Sequence, residues 1–206
     1  MGIPGKFIVF EGVDHSGKTT QIDLAEKWLL LRGHKVARFR EPGGTPAGER
    51  IRGALLDKEL SIVPLCEMLL FMASRVQLLE QKIIPALNNG EVVLLDRYWF
   101  STYAYQGIAG HLGGNRVTDL VFLLGLRYPD LVVMLDGDPE LLASRHHGAS
   151  DRIEAKGLQY QREVRDGYHQ LALTHKMKHL FRVVDAEKPL EDVHAAIVDA
   201  LSKANF

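Results

Sequence analysis

The sequence has almost no cysteine, no surplus of charge and no long apolar run, and each shortage removes a class of protein. One thiol, Cys66, among 206 residues cannot close an internal disulfide and is too few for a zinc–thiolate cluster. A cytoplasmic location is therefore expected. Lys plus Arg number 25 against 26 Asp plus Glu, a net charge of -1, so no global basic field exists to hold nucleic acid or an anionic membrane. Any anion must be held locally. No apolar stretch approaches the ~18 residues needed to span a bilayer. Phe7 to Phe10 is too short for a signal-peptide core, and Lys6 stands where a myristoylation signal wants Ser or Thr. No membrane partner is expected.

What is present is an ordinary globular composition, 46% apolar and 25% charged, with no repeat or linker, so residues 1–206 are read as one domain. Short apolar runs recur at Lys6–Phe10, Lys35–Phe39, Glu91–Leu95, Leu131–Leu135 and Phe181–Val184, with longer helical stretches between them. Such runs fit strands buried on both faces of a parallel sheet, so the fold class is α/β, a five-stranded sheet flanked by helices. Helices are expected at 19–32, with Gly33 as the stop and Leu24, Trp28 and Leu31 as the apolar stripe, and at 47–56, 64–88 and 158–178. Pro85 is expected to kink or shorten the third of these. The Pro- and Gly-dense stretch 41–48 reads as a loop, and the polar stretch 146–157 as a short mobile lid.

Gly12-Val13-Asp14-His15-Ser16-Gly17-Lys18-Thr19 fits G-x-x-x-x-G-K-[ST] without a mismatch, directly after an apolar strand and at the opening of a helix. Glycines let the backbone wrap an anion, and the helix N-terminus adds its partial positive charge. Lys18 then reaches the β/γ-phosphates of ATP, and the Thr19 hydroxyl ligates Mg²⁺. Asp96 closes the third apolar run, where a Walker-B acid belongs that holds Mg²⁺ through a water or accepts a proton.

A phosphate loop identifies the donor and leaves the acceptor open. The chain lacks the Asn-Lys-x-Asp tetrapeptide that reads guanine, which excludes a switch GTPase. If the acceptor is itself a phosphate, the enzyme needs concentrated positive charge more than a general base. Arginines fall where that would be useful: Arg40, Arg52, Arg75, Arg97, Arg145 and Arg152. Arg97, at a strand C-terminus, has the strongest claim.

Beyond these local signals, the sequence resembles the thymidylate kinases, through Phe10-Glu11-Gly12, Arg40-Glu41-Pro42-Gly43-Gly44-Thr45, Asp96-Arg97-Tyr98, Ala104-Tyr105-Gln106-Gly107 and Asp151-Arg152-Ile153-Glu154, all in family order. The resemblance implies transfer of the ATP γ-phosphate to dTMP in a homodimer. It implies that Phe71 stacks on thymine and Arg75 bonds a base carbonyl, that Thr102 and Gln106 complete base recognition, and that Tyr105 crowds the sugar 2′ position. Asp14 would bond the 3′-hydroxyl, and Arg52 and Arg97 would clamp the dTMP phosphate. With His15 in the loop position that carries Arg in one subgroup, the lid arginine would be Arg152, then Arg145, with His147 standing where some relatives have another Arg.

Two alternatives stay open: a kinase for another nucleoside monophosphate or a deoxynucleoside, and a P-loop regulatory protein that binds ATP. His175 and His179 have i, i+4 spacing but lack the Glu of an H-E-x-x-H site, so they read as a solvated helix face. His146 and His147 read as lid residues, and Arg162 and Arg165 as an exposed helix face.

Overall fold

The computed structural model describes residues 5–145 and 151–204. Five strands, β1 (Phe7–Gly12), β2 (Val36–Arg40), β3 (Val92–Asp96), β4 (Leu131–Asp136) and β5 (Phe181–Asp185), form one sheet in the order β2-β3-β1-β4-β5, every neighbouring pair parallel. Burial follows from that order. The three central strands are covered on both faces and are buried along nearly their whole length, whereas the edges β2 and β5 include exposed positions. The α/β expectation is met, each strand within two residues of its expected bounds.

The helices are α1 (Lys18–Leu31), α2 (Pro46–Leu56), α3 (Pro64–Leu78), α4 (Ile84–Asn88), α5 (Trp99–Thr102), α6 (Gly114–Leu123), α7 (Pro139–Ala143), α8 (Leu158–Leu173) and α9 (Leu190–Lys203). Three expectations need correction. The buried stripe of α1 is Ile22, Ala25 and Leu29, and Leu31 is 87% exposed, because the helix presents the face one residue away from the one expected. Pro85 does not shorten its helix: α3 runs through a π-helical turn, Leu79–Ile83, into α4, which reaches Asn88, and the wide turn accommodates a residue without an N–H to donate. Helix α8 ends at Leu173, so His175 and His179 lie in irregular turns and share no helix face. Among the described residues no cluster of three His, Cys, Asp or Glu could hold a metal ion.

Parallel register aligns the strand ends. Phe10 pairs with Asp96, and Asp96 with Arg40, so the C-terminal ends of β1, β3 and β2 stand in one row. Adjacent strands lie about 4.8 Å apart, which brings the phosphate loop, Asp96 and the Arg40–Glu41 corner within one ligand's reach. A second π-helical turn, Tyr103–Ile108, continues α5 and packs against α8. There the backbones nearly touch: a Cβ at Gly167 would lie 2.9 Å from the Ala104 Cα. Gly167→Ala should therefore lower stability by about 1–3 kcal/mol, although alanine is the better helix former, and a shift of the urea unfolding midpoint to lower concentration checks it.

Candidate active site

A cavity of about 340 Å³ opens at the C-terminal edge of β1, β2 and β3. Its walls bring together most of the residues singled out from the sequence: Asp14, Lys18 and Thr19 at one end; Arg40, Arg52, Asp96 and Arg97 beside them; and Phe71, Thr102, Tyr105 and Gln106 at the other. The segment 151–154 closes one side through Asp151, Ile153 and Glu154.

The phosphate loop is shaped by two left-handed residues, His15 (φ 63°) and Gly17 (φ 85°), and by Gly12, whose added Cβ would stand 2.3 Å from the Leu135 carbonyl oxygen. Val13 and Ser16 are buried within the loop. Lys18 turns back into it, donating to the carbonyls of Gly12 (3.2 Å) and Val13 (2.9 Å) and to Ser16 Oγ (3.3 Å). Burial, and then the nearby Arg97 charge, pull its ammonium down to about 8 against the attraction of Asp96, Asp14 and Glu11. His15 Nε2 stands 3.9 Å from the Glu154 carboxylate, at the meeting of loop and lid.

Arg97 has an unusual backbone conformation (φ 67°) that turns its side chain from the end of β3 toward the loop. Its guanidinium donates to the Gly12 carbonyl (3.0 Å), Ser101 Oγ, the Tyr168 hydroxyl and Asp14 Oδ1, and lies 5.1 Å from the Tyr105 ring centroid. Gln161 Nε2 donates to the other Asp14 oxygen (2.7 Å). Burial would raise the Asp14 carboxyl, but the charges of Arg97 and Lys18 and this hydrogen bond outweigh it, so Asp14 stays an ionised acceptor.

Asp96 Oδ1 is buried without a hydrogen-bond partner among the described residues, and Thr19 lines the same cavity. One carboxylate and one hydroxyl beside a phosphate loop suit a hard, oxygen-preferring cation such as Mg²⁺, which keeps few protein ligands and completes its shell with phosphate and water. The residues therefore fit the ion.

At the far end, Arg75 is almost fully buried behind the wall, donating to Glu41 Oε2 (2.6 Å) and Thr102 Oγ1 (3.0 Å). Glu41 Oε1 has no partner among the described residues. Gln106 Nε2 donates to Glu67 Oε1 (2.8 Å). Arg52 donates to the Pro42 carbonyl (3.0 Å), and Arg40 pairs with Glu49 at the rim.

The two lid arginines sit elsewhere than the sequence suggested. Arg152 donates to the Leu55 carbonyl (2.8 Å) and to Glu67 Oε2 (2.6 Å), and Arg145 to the carbonyls of Ala186 and Glu187; neither lines the cavity. One carboxylate and three carbonyls take up arginines that the sequence offers to phosphates. The lid positions 146–150, with His146 and His147, lie outside the described residues. Arg165 is tied to Asp136 by two bonds (2.8 and 2.9 Å), whereas Arg162 is exposed as expected, with Glu140 as its partner.

Sequence reasoning missed Glu11, Glu67, Ser101, Gln161 and Tyr168 as site residues. Glu11 and Glu67 carry a signal, each being a lone carboxylate inside an otherwise apolar run. Gln161 carries none.

The model of the family described as Thymidylate kinase matches residues 10–197. A thymidylate kinase of Thermoanaerobacter is 42% identical over 202 residues, spanning 97% of this chain and 98% of that one. Those of Deinococcus radiodurans (42% over 202 residues, 97% of each chain) and Chlamydia trachomatis (42% over 190 residues, 90% and 93%) are similar throughout.

The Lys18 environment yields a pH signature. The free protein holds this ammonium near 8, and bound polyphosphate must raise it, so affinity is full below that pH and falls up to tenfold per unit above it. Calorimetric titration with ADP should show net proton uptake at about pH 8.5, which shrinks markedly in Lys18→Met.

Proposed function

The chain belongs to the thymidylate kinase family, and from that footing we propose how its own residues move the ATP γ-phosphate to dTMP. The protein is an ATP-dependent dTMP kinase. The observation that supports the assignment of residues best is the cavity itself, which joins a phosphate loop to a base-sized pocket lined by Phe71, Thr102 and Gln106.

ATP phosphates occupy the loop formed by Gly12, Val13, Asp14, His15, Ser16, Gly17, Lys18 and Thr19, where backbone N–H groups and the start of α1 attract them. Lys18 exchanges its loop carbonyls for phosphate oxygens. Thr19 and Asp96 would hold Mg²⁺, which when bound neutralises phosphate charge. The dTMP base lies against Phe71, with Thr102 and Gln106 reading its edge, Arg75 behind the wall holding Thr102 in place, and Tyr105 beside the sugar. Asp14, kept ionised, accepts from the 3′-hydroxyl. Arg52 and Arg97 hold the dTMP phosphate, whose oxygen is already anionic and needs no base to attack in line. Arg97 also touches the Gly12 carbonyl, so one guanidinium bridges donor and acceptor ends. Arg152 and Arg145 act through the lid: Arg152 ties its 151–157 arm across the cleft, and closure excludes water that would hydrolyse ATP.

ATP and dTMP are cytoplasmic metabolites, and the enzyme is placed there. Leu65 and Leu69, about half exposed on α3, offer an apolar face for a homodimer. Sedimentation should give a dimer that Leu69→Glu dissociates. For the reaction, ADP release with Mg-ATP should be fastest on dTMP, against thymidine, dUMP, UMP, dCMP and AMP; indifference to dTMP would sink the assignment. Asp96→Asn should lower turnover by about 10²-fold or more with dTMP binding retained, measured by kcat and by direct titration.

A further inference from the structure

We propose that Glu67 is a positioning residue for acceptor selectivity: it fixes the Gln106 amide so that the cavity meets a ring N–H rather than a ring nitrogen lone pair. This inference rests on reading the cavity as the dTMP site. Glu67 sits in the first turn of α3 with its side chain only 2% exposed. Its Oε1 accepts from Gln106 Nε2 (2.8 Å) and Lys156 Nζ (3.1 Å), and its Oε2 from Arg152 (2.6 Å). Burial pushes the carboxyl up, but the Gln106 bond, the Lys156 charge and the Arg152 bond hold it below the usual carboxylate range. An ionised carboxylate only accepts.

A glutamine amide has a donor end and an acceptor end, and a half-turn exchanges them. Beside a carboxylate, Gln106 must present its nitrogen. The carbonyl oxygen is then the end left for a ligand in the cavity that Gln106 lines. Thymine and uracil carry N3–H, which such an oxygen accepts; cytosine carries a lone pair there, which it repels. A site that hydrogen-bonds one partner leaves polar groups unmatched with the other, and rejects it by factors of up to ~10⁴. Lys156 and Arg152 neutralise Glu67 from the lid side, so the carboxylate stays ionised without competing for the base.

Glu67→Gln keeps the shape and removes the constraint, since a second amide can pair with Gln106 in either orientation. The kcat/KM ratio of dTMP over dCMP should fall about tenfold or more, while the ratio of dTMP over dUMP stays put because the amide does not read the methyl. If that variant does not fold, Glu67→Asp, one methylene short of Gln106, should move the same ratio in the same direction. The double variant Arg152→Ala/Lys156→Ala cuts the lid pairs and keeps the Glu67–Gln106 bond, so kcat should fall with the dTMP to dCMP ratio intact. An unchanged ratio in a folded Glu67 variant, or an equal change in the double variant, overturns the inference. A native enzyme without preference for dTMP over dCMP overturns instead the reading of the cavity.

Discussion

The site depends on one buried carboxylate. Glu11, fully buried at the C-terminal end of the central strand, accepts four hydrogen bonds: Tyr98 N (2.7 Å) and Ser101 N (3.3 Å) on Oε1, Ser101 Oγ (2.6 Å) and the Tyr168 hydroxyl (2.7 Å) on Oε2. Burial raises this carboxyl, with the Arg97 charge and the hydrogen bonds pulling against it. Leaving such a group unmatched would cost about 1–3 kcal/mol or more, so the loop after β3 and helix α8 are clasped to β1 as one unit. Arg97 lies immediately before Tyr98, and its position is inherited from that clasp. The arginine that reaches both the Gly12 carbonyl and the Asp14 carboxylate is thus aimed from the centre of the sheet.

Around this anchor the cavity concentrates charge that the whole molecule does not show. A net charge of -1 conceals Lys18, Arg40, Arg52 and Arg97 on one wall system, facing the carboxylates of Asp14, Asp96, Asp151, Glu154 and the buried Glu41. In partly buried surroundings these interactions are stronger than in water, and like charges disturb one another: Arg97 helps depress Lys18, and Arg40 helps depress Arg52. Phosphate oxygens would relieve both. Backbone carbonyls and the Ser16 hydroxyl are the partners of Lys18, and a backbone carbonyl that of Arg52, and a polyanion can replace them.

The sheet and the phosphate loop were legible because their signals are local. A central strand reads as a continuous apolar run, and G-x-x-x-x-G-K-[ST] needs only its own eight residues and the strand before them. The row Phe10–Asp96–Arg40 follows from parallel register, so Asp96 and Arg97 could be placed at the site from sequence. The stripe of α1 was misplaced by one position because Leu30 and Leu31 continue the apolar pattern into exposed positions. The end of α8 was misjudged because 174–180 is rich in Lys and His without a Gly or Pro to mark a stop.

The partners of the arginines were the least legible feature, and this has one physical cause. Chemistry says that an arginine near a phosphate site can bind phosphate, yet which anion it meets is decided by folding. Glu67 lies 85 residues from Arg152 and 39 from Gln106, and no local pattern joins them. A lone glutamate in the run Pro64–Met72 was the only hint, and its partners were invisible until α3, the π-helical turn 103–108 and the arm 151–157 were brought together. Two of the buried glutamates then organise the cavity walls: Glu11 holds the loop that carries Arg97, and Glu67 gathers Gln106 and the 151–157 arm. Because a buried carboxylate must find donors, each draws distant segments to itself, and the segments so drawn include walls of the cavity, through Ser101, Gln106 and the stretch 151–154.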